Sequence, residues 1–228
     1  MSKLGLEEAR EAILTAAAEN VVFDGWSDEN LTAAAAQAGV EPSLAKMLFP
    51  RGGVDLAMGY HARGDQLMVQ RLKDEDLSAL RFRDKVARAL EIRLEVTDRE
   101  AVRRGATLFA MPQYFNEGTR CIWQTADAVW TALGDQSDDI NWYSKRATLS
   151  AVWSSVVLYW LGDESENMQD TRAFIDRRID NVMQFEKAKA QFNKSPLGKL
   201  FEMGPGRLLD RIQAPRHVAG FPGSVKQD

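Results

Sequence analysis

The residue types that carry out chemistry are scarce in this chain, which has two histidines and one cysteine in 228 residues. His61 follows Tyr60 in a helical segment and has no Glu three positions before it, so the Glu-x-x-His pair of di-iron bundles is absent. His217 lies in a stretch bounded by Pro and Gly. The sequence has no Cys/His metal cluster, no Gly-rich phosphate loop and no nucleophilic Ser motif. We therefore predict a protein that is not an enzyme and has no metal or cofactor, with both histidines structural or solvated.

Large aromatic and apolar side chains are abundant instead. The stretch from Asp138 to Asp163 begins with residues that can cap a helix and ends at Gly162, and its apolar residues recur at helical spacing. This stretch and the two helices before it contain six large apolar side chains that could lie close together: Phe109, Trp123, Trp130, Trp153, Val157 and Trp160. These side chains could line a cavity for a large apolar ligand, or they could fill a solid core. Composition alone does not decide between a cavity and a core.

Helical periodicity runs through the whole chain, and no segment has the alternation of a strand. We predict an all-α fold with nine helices, in which residues 113–118 form a turn before the seventh helix. Three short helices at the start, separated by Gly25 and by the Gly39-Val40 turn, have helix-turn-helix spacing, and a helical bundle follows. The predicted divisions are a helix-turn-helix domain at residues 1–53, a helical domain at 54–194 and an amphipathic segment with a tail at 195–228.

Charge is unevenly distributed along the chain. Residues 1–62 hold four basic side chains against nine carboxylates, a net charge of −5, whereas residues 185–228 hold eight against four, a net charge of +4. DNA affinity depends on cations that neutralise phosphates. The third helix offers only Lys46 and follows Glu41, so we predict that this protein does not bind nucleic acid.

The basic segment near the C-terminus has an amphipathic pattern with a Gly-Pro-Gly interruption at residues 204–206. Its apolar face contains Leu197, Leu200, Phe201, Leu208, Leu209 and Ile212, and its basic residues include Lys199, Arg207 and Arg211. This pattern is typical of a helix that lies on an anionic membrane. A helix that docks on the bundle or on a second subunit has the same pattern.

Two stretches resemble known families. GWSDENLTAAAAQAGVEPSLAKMLFP, ending at Pro50, resembles the N-terminal domain of TetR-type transcription regulators. DINWYSKRATLSAVW from Asp139, with DTRAFIDRRIDNVM from Asp170, resembles the Coq nine family of coenzyme Q (ubiquinone) biosynthesis proteins. This resemblance implies a TetR-like fold, no catalysis and homodimers. It also implies a cavity that binds an isoprenoid quinone intermediate or a phospholipid, and a C-terminal helix that contacts a membrane surface.

The same resemblance implies a protein partner, the di-iron demethoxyubiquinone hydroxylase, which would bind Trp142 and Tyr143. We therefore predict a lipid-binding accessory protein of ubiquinone biosynthesis. The alternatives are a ligand-responsive TetR-type regulator that binds DNA and a purely structural scaffold with a filled core. The start of the sequence, MSKLGLEEAREAI, is acidic and resembles neither a secretory signal nor a transit peptide. From this we predict a cytoplasmic protein peripherally associated with the inner membrane of a bacterium.

Overall fold

The computed structural model describes residues 5–194, and this part of the chain contains helices and no strands. The α-helices are α1 (Leu6–Asp24), α2 (Asp28–Gln37), α3 (Pro42–Leu48), α4 (Gly53–Asp74), α5 (Phe82–Glu95), α6 (Arg99–Phe109), α7 (Phe115–Ala132), α8 (Ile140–Leu161) and α9 (Gln169–Lys194). Two 3-10 turns, Pro112–Tyr114 and Glu166–Met168, precede α7 and α9. The predicted all-α class is confirmed. Within residues 5–194, no helix combines the length and the apolarity needed to cross a membrane.

The first three helices and the start of α4 enclose a small core of their own. Ile13, Ala34 and Phe49 are fully buried in it. Asn30 is also fully buried, and its side-chain amide donates to the carbonyl oxygens of Ala17 and Gly25. These bonds hold the start of α2 against the end of α1, because a buried amide without partners would cost free energy.

A second, larger core lies among α4, α5, α7, α8 and α9. Leu90, Trp153, Val156 and Ile175 are among its buried members. The apolar stripe predicted for the Asp138–Asp163 stretch faces this core, because side chains three and four positions apart share one side of α8. The residues of the predicted amphipathic segment, 195–228, lie outside the described residues.

Trp26, a member of the first core, connects that core to α6. Its indole Nε1 donates to the carbonyl oxygen of Ala101 on α6 at 2.9 Å, and its ring lies 5.2 Å from that of Tyr60 on α4. Gly53 permits this arrangement, because a Cβ at that position would lie 2.3 Å from the carbonyl oxygen of Trp26. The helix-turn-helix unit is thereby packed directly onto the bundle.

The start of α7 differs from the sequence-based expectation. Residues 113–118 were predicted as a turn, but the 3-10 turn that begins at Pro112 leads directly into a helix at Phe115. That prediction is wrong for residues 115–118. Pro112 lacks a backbone N–H, which suits the first position of a helical turn. Gly118 consequently lies within α7 and against Phe109, whose Cβ would be 2.7 Å from a Cβ at that glycine.

Candidate ligand cavity

A cavity of about 290 Å³ lies among α4, α5, α6, α7 and α8. Most of its wall is apolar. The lining includes Trp26, Leu94, Phe109, Ile122, Trp153, Val157 and Trp160. Four of the six side chains predicted for a ligand site, Phe109, Trp153, Val157 and Trp160, are therefore brought together.

The other two predicted side chains, Trp123 and Trp130, do not line the cavity. They are seven residues apart and therefore share one side of α7. Gly118 and Ile122 line the cavity from a different side of the same helix. The Trp123 ring packs 6.0 Å from the ring of Trp142. The Trp130 ring stacks on Phe82, and its indole N–H donates to the carbonyl oxygen of Lys145. The structure corrects their placement in the cavity wall.

The edge of the cavity is apolar and exposed. Phe115 at the start of α7 is 64% exposed and Leu158 on α8 is 70% exposed, although both line the cavity. Large exposed apolar side chains at the rim of a concave site are typical of sites that bind ligands or partners. A ligand longer than the cavity would meet an apolar surface where it leaves the protein.

One end of the cavity is polar. The Arg93 guanidinium Nε lies 2.6 Å from Asp65 Oδ1, and Arg93 Nη2 donates to the carbonyl oxygen of His61. The hydroxyl of Thr125 donates to Asp65 Oδ1 at 2.8 Å. His61 Nε2 lies 2.8 Å from Thr125 Oγ1 and 2.9 Å from the carbonyl oxygen of Cys121. His61 and Arg93 line the cavity, so this cluster forms its polar end.

Burial and the positive charge of Arg93 lower the pKa of His61 to about 4. The imidazole is therefore neutral at neutral pH. Burial also raises the pKa of the nearby Cys121 thiol to about 12. A thiol that stays protonated is a poor nucleophile, so neither group has the properties of an activated catalytic residue.

Sequence reasoning missed Asp65 and Arg93, and it treated His61 as structural or solvated. The i, i+4 spacing of His61 and Asp65 was the visible signal, since it places both on one side of α4. Arg93 is one of several basic residues that alternate with apolar residues along α5, but it is only 1% exposed. Helical phase was a second signal, because Arg93 comes seven residues after Val86 and therefore lies on the apolar side of α5. Arg88 lies on the opposite side, in a partly exposed ion-pair network with Glu75, Glu91 and Glu95.

Trp142 and Tyr143 lie in the first turns of α8, away from the cavity. Both are half-buried, and their rings meet edge to face with centroids 4.8 Å apart. The Arg146 guanidinium lies 4.0 Å from the centre of the Trp142 ring. The predicted partner residues therefore form one aromatic patch that is supported from beneath by a buried arginine.

Arg146 is itself fixed by carboxylates. Its Nε lies 2.5 Å from Asp127 Oδ1 and its Nη1 lies 3.0 Å from Asp135 Oδ2. Burial opposes ionisation of Asp135, but hydrogen bonds from Lys145, Ser137 and Arg146 outweigh it and lower the pKa of Asp135 to about 2. The support under Trp142 is consequently charged and rigid at neutral pH.

Comparison with known proteins shows which family this chain resembles. Residues 115–186, which contain α7, α8 and part of α9, match the family model named COQ9. Over 186 residues the chain is 30% identical to the ubiquinone biosynthesis protein COQ9, mitochondrial, of Rattus norvegicus, an alignment that covers 78% of this chain and 59% of that protein. The chain is a relative of the COQ9 proteins. The predicted resemblance to the Coq nine family is thereby confirmed.

Other COQ9 proteins are similar to the same extent. The human protein is 28% identical over 186 residues, covering 78% of this chain and 58% of that protein. The probable ubiquinone biosynthesis protein coq9 of Dictyostelium discoideum is 28% identical over 173 residues, covering 72% of this chain and 56% of that protein. The chain thus spans somewhat more than half the length of the COQ9 proteins it matches.

These COQ9 relatives also overturn one prediction. The rat, human and Dictyostelium discoideum proteins are all named as mitochondrial. The prediction of a cytoplasmic protein at the inner membrane of a bacterium is therefore wrong. It relied on the character of the first residues, which the similarity to COQ9 proteins outweighs.

Among solved structures, the TetR transcriptional regulator from Nitrosomonas europaea has a similar fold. The two chains superpose with a TM-score of 0.62 at 20% sequence identity, covering 77% of this chain and 98% of the regulator. The predicted TetR-like fold is confirmed. The combination seen here is a TetR-like fold in a relative of COQ9.

Proposed function

We propose that this chain is a non-catalytic accessory protein of ubiquinone biosynthesis. In this proposal the cavity holds an isoprenoid quinone precursor, or another lipid, and the protein presents it to the demethoxyubiquinone hydroxylase. The observation that carries the proposal is the apolar cavity, part of whose wall is formed by α7 and α8, the helices that fall within the match to COQ9. The names of the related proteins, which refer to ubiquinone biosynthesis, support the pathway.

The physical basis for binding would be the removal of apolar surface from water. Burying such surface contributes about 25 cal/mol per Å², and aromatic walls offer large contact areas. The cavity volume of about 290 Å³ is at the lower end of the range for ligand pockets. A long isoprenoid chain would therefore extend past Phe115 and Leu158, whose exposed side chains would contact it.

Presentation to a partner would use the aromatic patch of Trp142 and Tyr143. Half-buried aromatic side chains on a rigid helix suit the centre of a protein interface, because little conformational entropy is lost when they bind. Homodimer formation and membrane contact through residues 195–228 also belong to the proposal.

Organic extraction of the purified full chain, followed by mass spectrometry, tests the cavity. A near-stoichiometric isoprenoid quinone or other lipid is expected. A Val157→Trp variant should lose most of it, because the larger side chain would fill the cavity. Val22→Trp, a change at a residue 44% exposed on α1, is the matched control and should keep the lipid. A lipid-free extract of protein prepared without detergent would contradict the proposal and favour the scaffold.

The TetR-like fold favours a second candidate, a regulator that binds DNA. The charge of the N-terminal helices argues against it, because α3 contributes one cation, Lys46, and a domain with net charge −5 would be repelled by the duplex. A gel-shift titration at low salt decides the matter. Tight, salt-sensitive binding to duplex DNA would favour the regulator, and no shift would exclude it.

A further inference from the structure

Two aromatic rings and two arginines gather on the outer side of α8 and α9. The rings of Tyr159 and Phe174 lie 4.3 Å apart and are nearly parallel, at 7°. The guanidinium carbons of Arg178 and Arg177 lie 5.0 Å and 5.7 Å from the centre of the Phe174 ring. Because Tyr159 covers one face of that ring, the two guanidinium groups share what is left of it. Tyr159 and Arg177 are exposed, so solvent reaches this cluster.

The α9 arginine pair, Arg177 and Arg178, is distinguished by its lack of polar partners. Neither member has a hydrogen bond or an ion pair with a described residue. Apart from Arg120, every other arginine in residues 5–194 is hydrogen-bonded to the protein or paired with a carboxylate. The carboxylates next to the pair on α9, Asp176 and Asp180, are directed to Arg83 of α5. The pair therefore presents two positive charges that the described protein does not neutralise.

One donor of the pair is buried. Arg178 Nε is shielded from solvent and has no acceptor among the described residues. A buried N–H group without an acceptor costs free energy, and it can mark a place where an ion or a water molecule completes the hydrogen bonding. Stacking on Phe174, rather than a bond to a carboxylate, holds this guanidinium in position. The pair is thus preorganised for an anion that the protein itself does not supply.

The arrangement suits a phosphate group better than a carboxylate. A planar carboxylate is satisfied by the two parallel bonds of a single arginine. A phosphate group is tetrahedral and carries acceptor oxygens that point in several directions, so it can accept from two guanidinium groups that are not coplanar. It also brings more negative charge to two like charges that are held around one ring.

We propose that Arg177 and Arg178 together bind a phosphate group, which belongs either to a soluble phosphate ester or to a lipid headgroup. Phe174 and both arginines lie outside the lining of the cavity. This site is consequently a second one, and it does not depend on what the cavity holds.

Nuclear magnetic resonance of the full chain labelled with ¹⁵N-arginine tests the site without relying on a variant. The buried Nε–H of Arg178 should exchange slowly with water, so its resonance can be followed while inorganic phosphate is added. Its loss in Arg178→Lys assigns it. We expect a saturable movement with phosphate and a much smaller one with acetate at equal ionic strength. An unmoved resonance would overturn the proposal, and an equal response to acetate would replace it with a protein partner that brings a carboxylate.

The variant Arg177→Gln tests whether the two arginines act together. Phosphate affinity, read from the Arg178 resonance, should fall about tenfold or more, because hydrogen bonds between charged groups are the strong ones. The matched control is Arg120→Gln, which removes one charge from an exposed arginine on α7 that also lacks a described polar partner. It should bind phosphate as the wild-type protein does. Equal affinities for Arg177→Gln and the wild-type protein would contradict a joint site.

Flotation with phosphatidylcholine vesicles that contain phosphatidic acid then identifies the source of the phosphate group. Lower recovery of Arg177→Gln than of Arg120→Gln would support a lipid headgroup. Equal recovery of the two variants, together with a phosphate-responsive Arg178 resonance, would support a soluble phosphate ester.

Discussion

Arg93 and Asp65 form an ion pair beneath the cavity, with the guanidinium Nε 2.6 Å from the carboxylate Oδ1. The two residues come from α5 and α4, and the same carboxylate oxygen also accepts from Thr125 on α7. One carboxylate therefore links three helices at the polar end of the cavity. A buried ion pair is weak evidence for stability in itself, but breaking one is costly because the remaining charge is left without a partner.

Replacing Arg93 should accordingly destabilise the protein. We expect Arg93→Met to lower the free energy of unfolding by about 3–5 kcal/mol, as for other broken buried pairs, because Asp65 would keep a buried charge without its cation. Urea unfolding followed by circular dichroism measures the change. The control is Arg81→Met, which removes the partner of Asp84 in an exposed pair and should leave the melting temperature nearly unchanged. Equal free energies of unfolding for the two variants would refute the prediction.

Two glycines within helices provide a matched pair of substitutions. Gly64 lies against Arg93, so that a Cβ there would be 2.5 Å from Arg93 Nη1, whereas a Cβ at Gly105 would meet nothing closer than 3.6 Å. Gly105→Ala should raise the free energy of unfolding by up to about 1 kcal/mol through helix propensity. Gly64→Ala should lower it by about 1–3 kcal/mol, because Arg93 is held by hydrogen bonds and cannot move aside freely.

Thermal unfolding of both glycine variants gives the comparison directly. The wild-type protein is the reference, and organic extraction with mass spectrometry checks that Gly105→Ala leaves the cavity usable. A gain of stability in Gly64→Ala would mean that Arg93 adapts without cost and that its position is not fixed by Asp65 and His61.

Stability should depend on pH through His61. Its pKa is lowered from 6.5 to about 4 in the folded protein, so the unfolded chain binds more protons between these values. The free energy of unfolding should therefore fall as pH decreases from 6.5 to 4, by at most about 3 kcal/mol. Urea titrations across this range measure the slope. Asp135 and Asp163, with pKa values of about 2, contribute to acid unfolding only at lower pH.

The variant His61→Phe separates the histidine from other titrating groups. It should have a flatter dependence on pH between 4 and 6.5 than the wild-type protein, whatever its absolute stability. Identical slopes in the two proteins would show that His61 does not become protonated on unfolding in this range.

Trp142→Ala should weaken binding to the di-iron hydroxylase, the proposed partner, while leaving the fold intact. The ring is half-buried and rests on Arg146, which keeps its bonds to Asp127 and Asp135 when the ring is removed. A loss of binding of about tenfold or more is expected of an aromatic residue at the centre of an interface. Surface plasmon resonance with the purified hydroxylase provides the measurement.

The control for Trp142 is Phe23→Ala, because Phe23 is an aromatic residue that is 88% exposed at the end of α1. It should bind the hydroxylase as the wild-type protein does. Unchanged affinity in Trp142→Ala would remove the aromatic patch from the proposed interface. A large fall in melting temperature would assign Trp142 to the core instead.

Local signals in the sequence predicted most of the helices. Ser27 caps α2 through a bond to the Asn30 amide, Asp139 caps α8 in the same way, and Gly162 follows its end. These interactions join residues only a few positions apart, so spacing reveals them. The start of α7 was missed because a 3-10 turn and an α-helix follow one another without a break after Pro112.

The cavity was predictable only in part. Periodicity reveals that one side of α8 holds Trp153, Val157 and Trp160. The side of α7 that faces the cavity, in contrast, depends on how the helices pack. Trp123 and Trp130 were misplaced for that reason. The polar end joins residues 28 and 60 positions apart, Asp65 with Arg93 and with Thr125. The spacing of His61 and Asp65 indicates only the part of the cluster that lies on α4, because the other members come from different helices.

The indole of Trp26 has a consequence for cooperativity. It belongs to the core of the helix-turn-helix unit, yet it lines the cavity and donates a hydrogen bond to α6. If the helix-turn-helix unit unfolded alone, Trp26 would leave the cavity lining, and the apolar side chains around it would be exposed to water. We therefore expect the N-terminal helices and the bundle to unfold together, and a ligand bound in the bundle to stabilise helices that it scarcely touches.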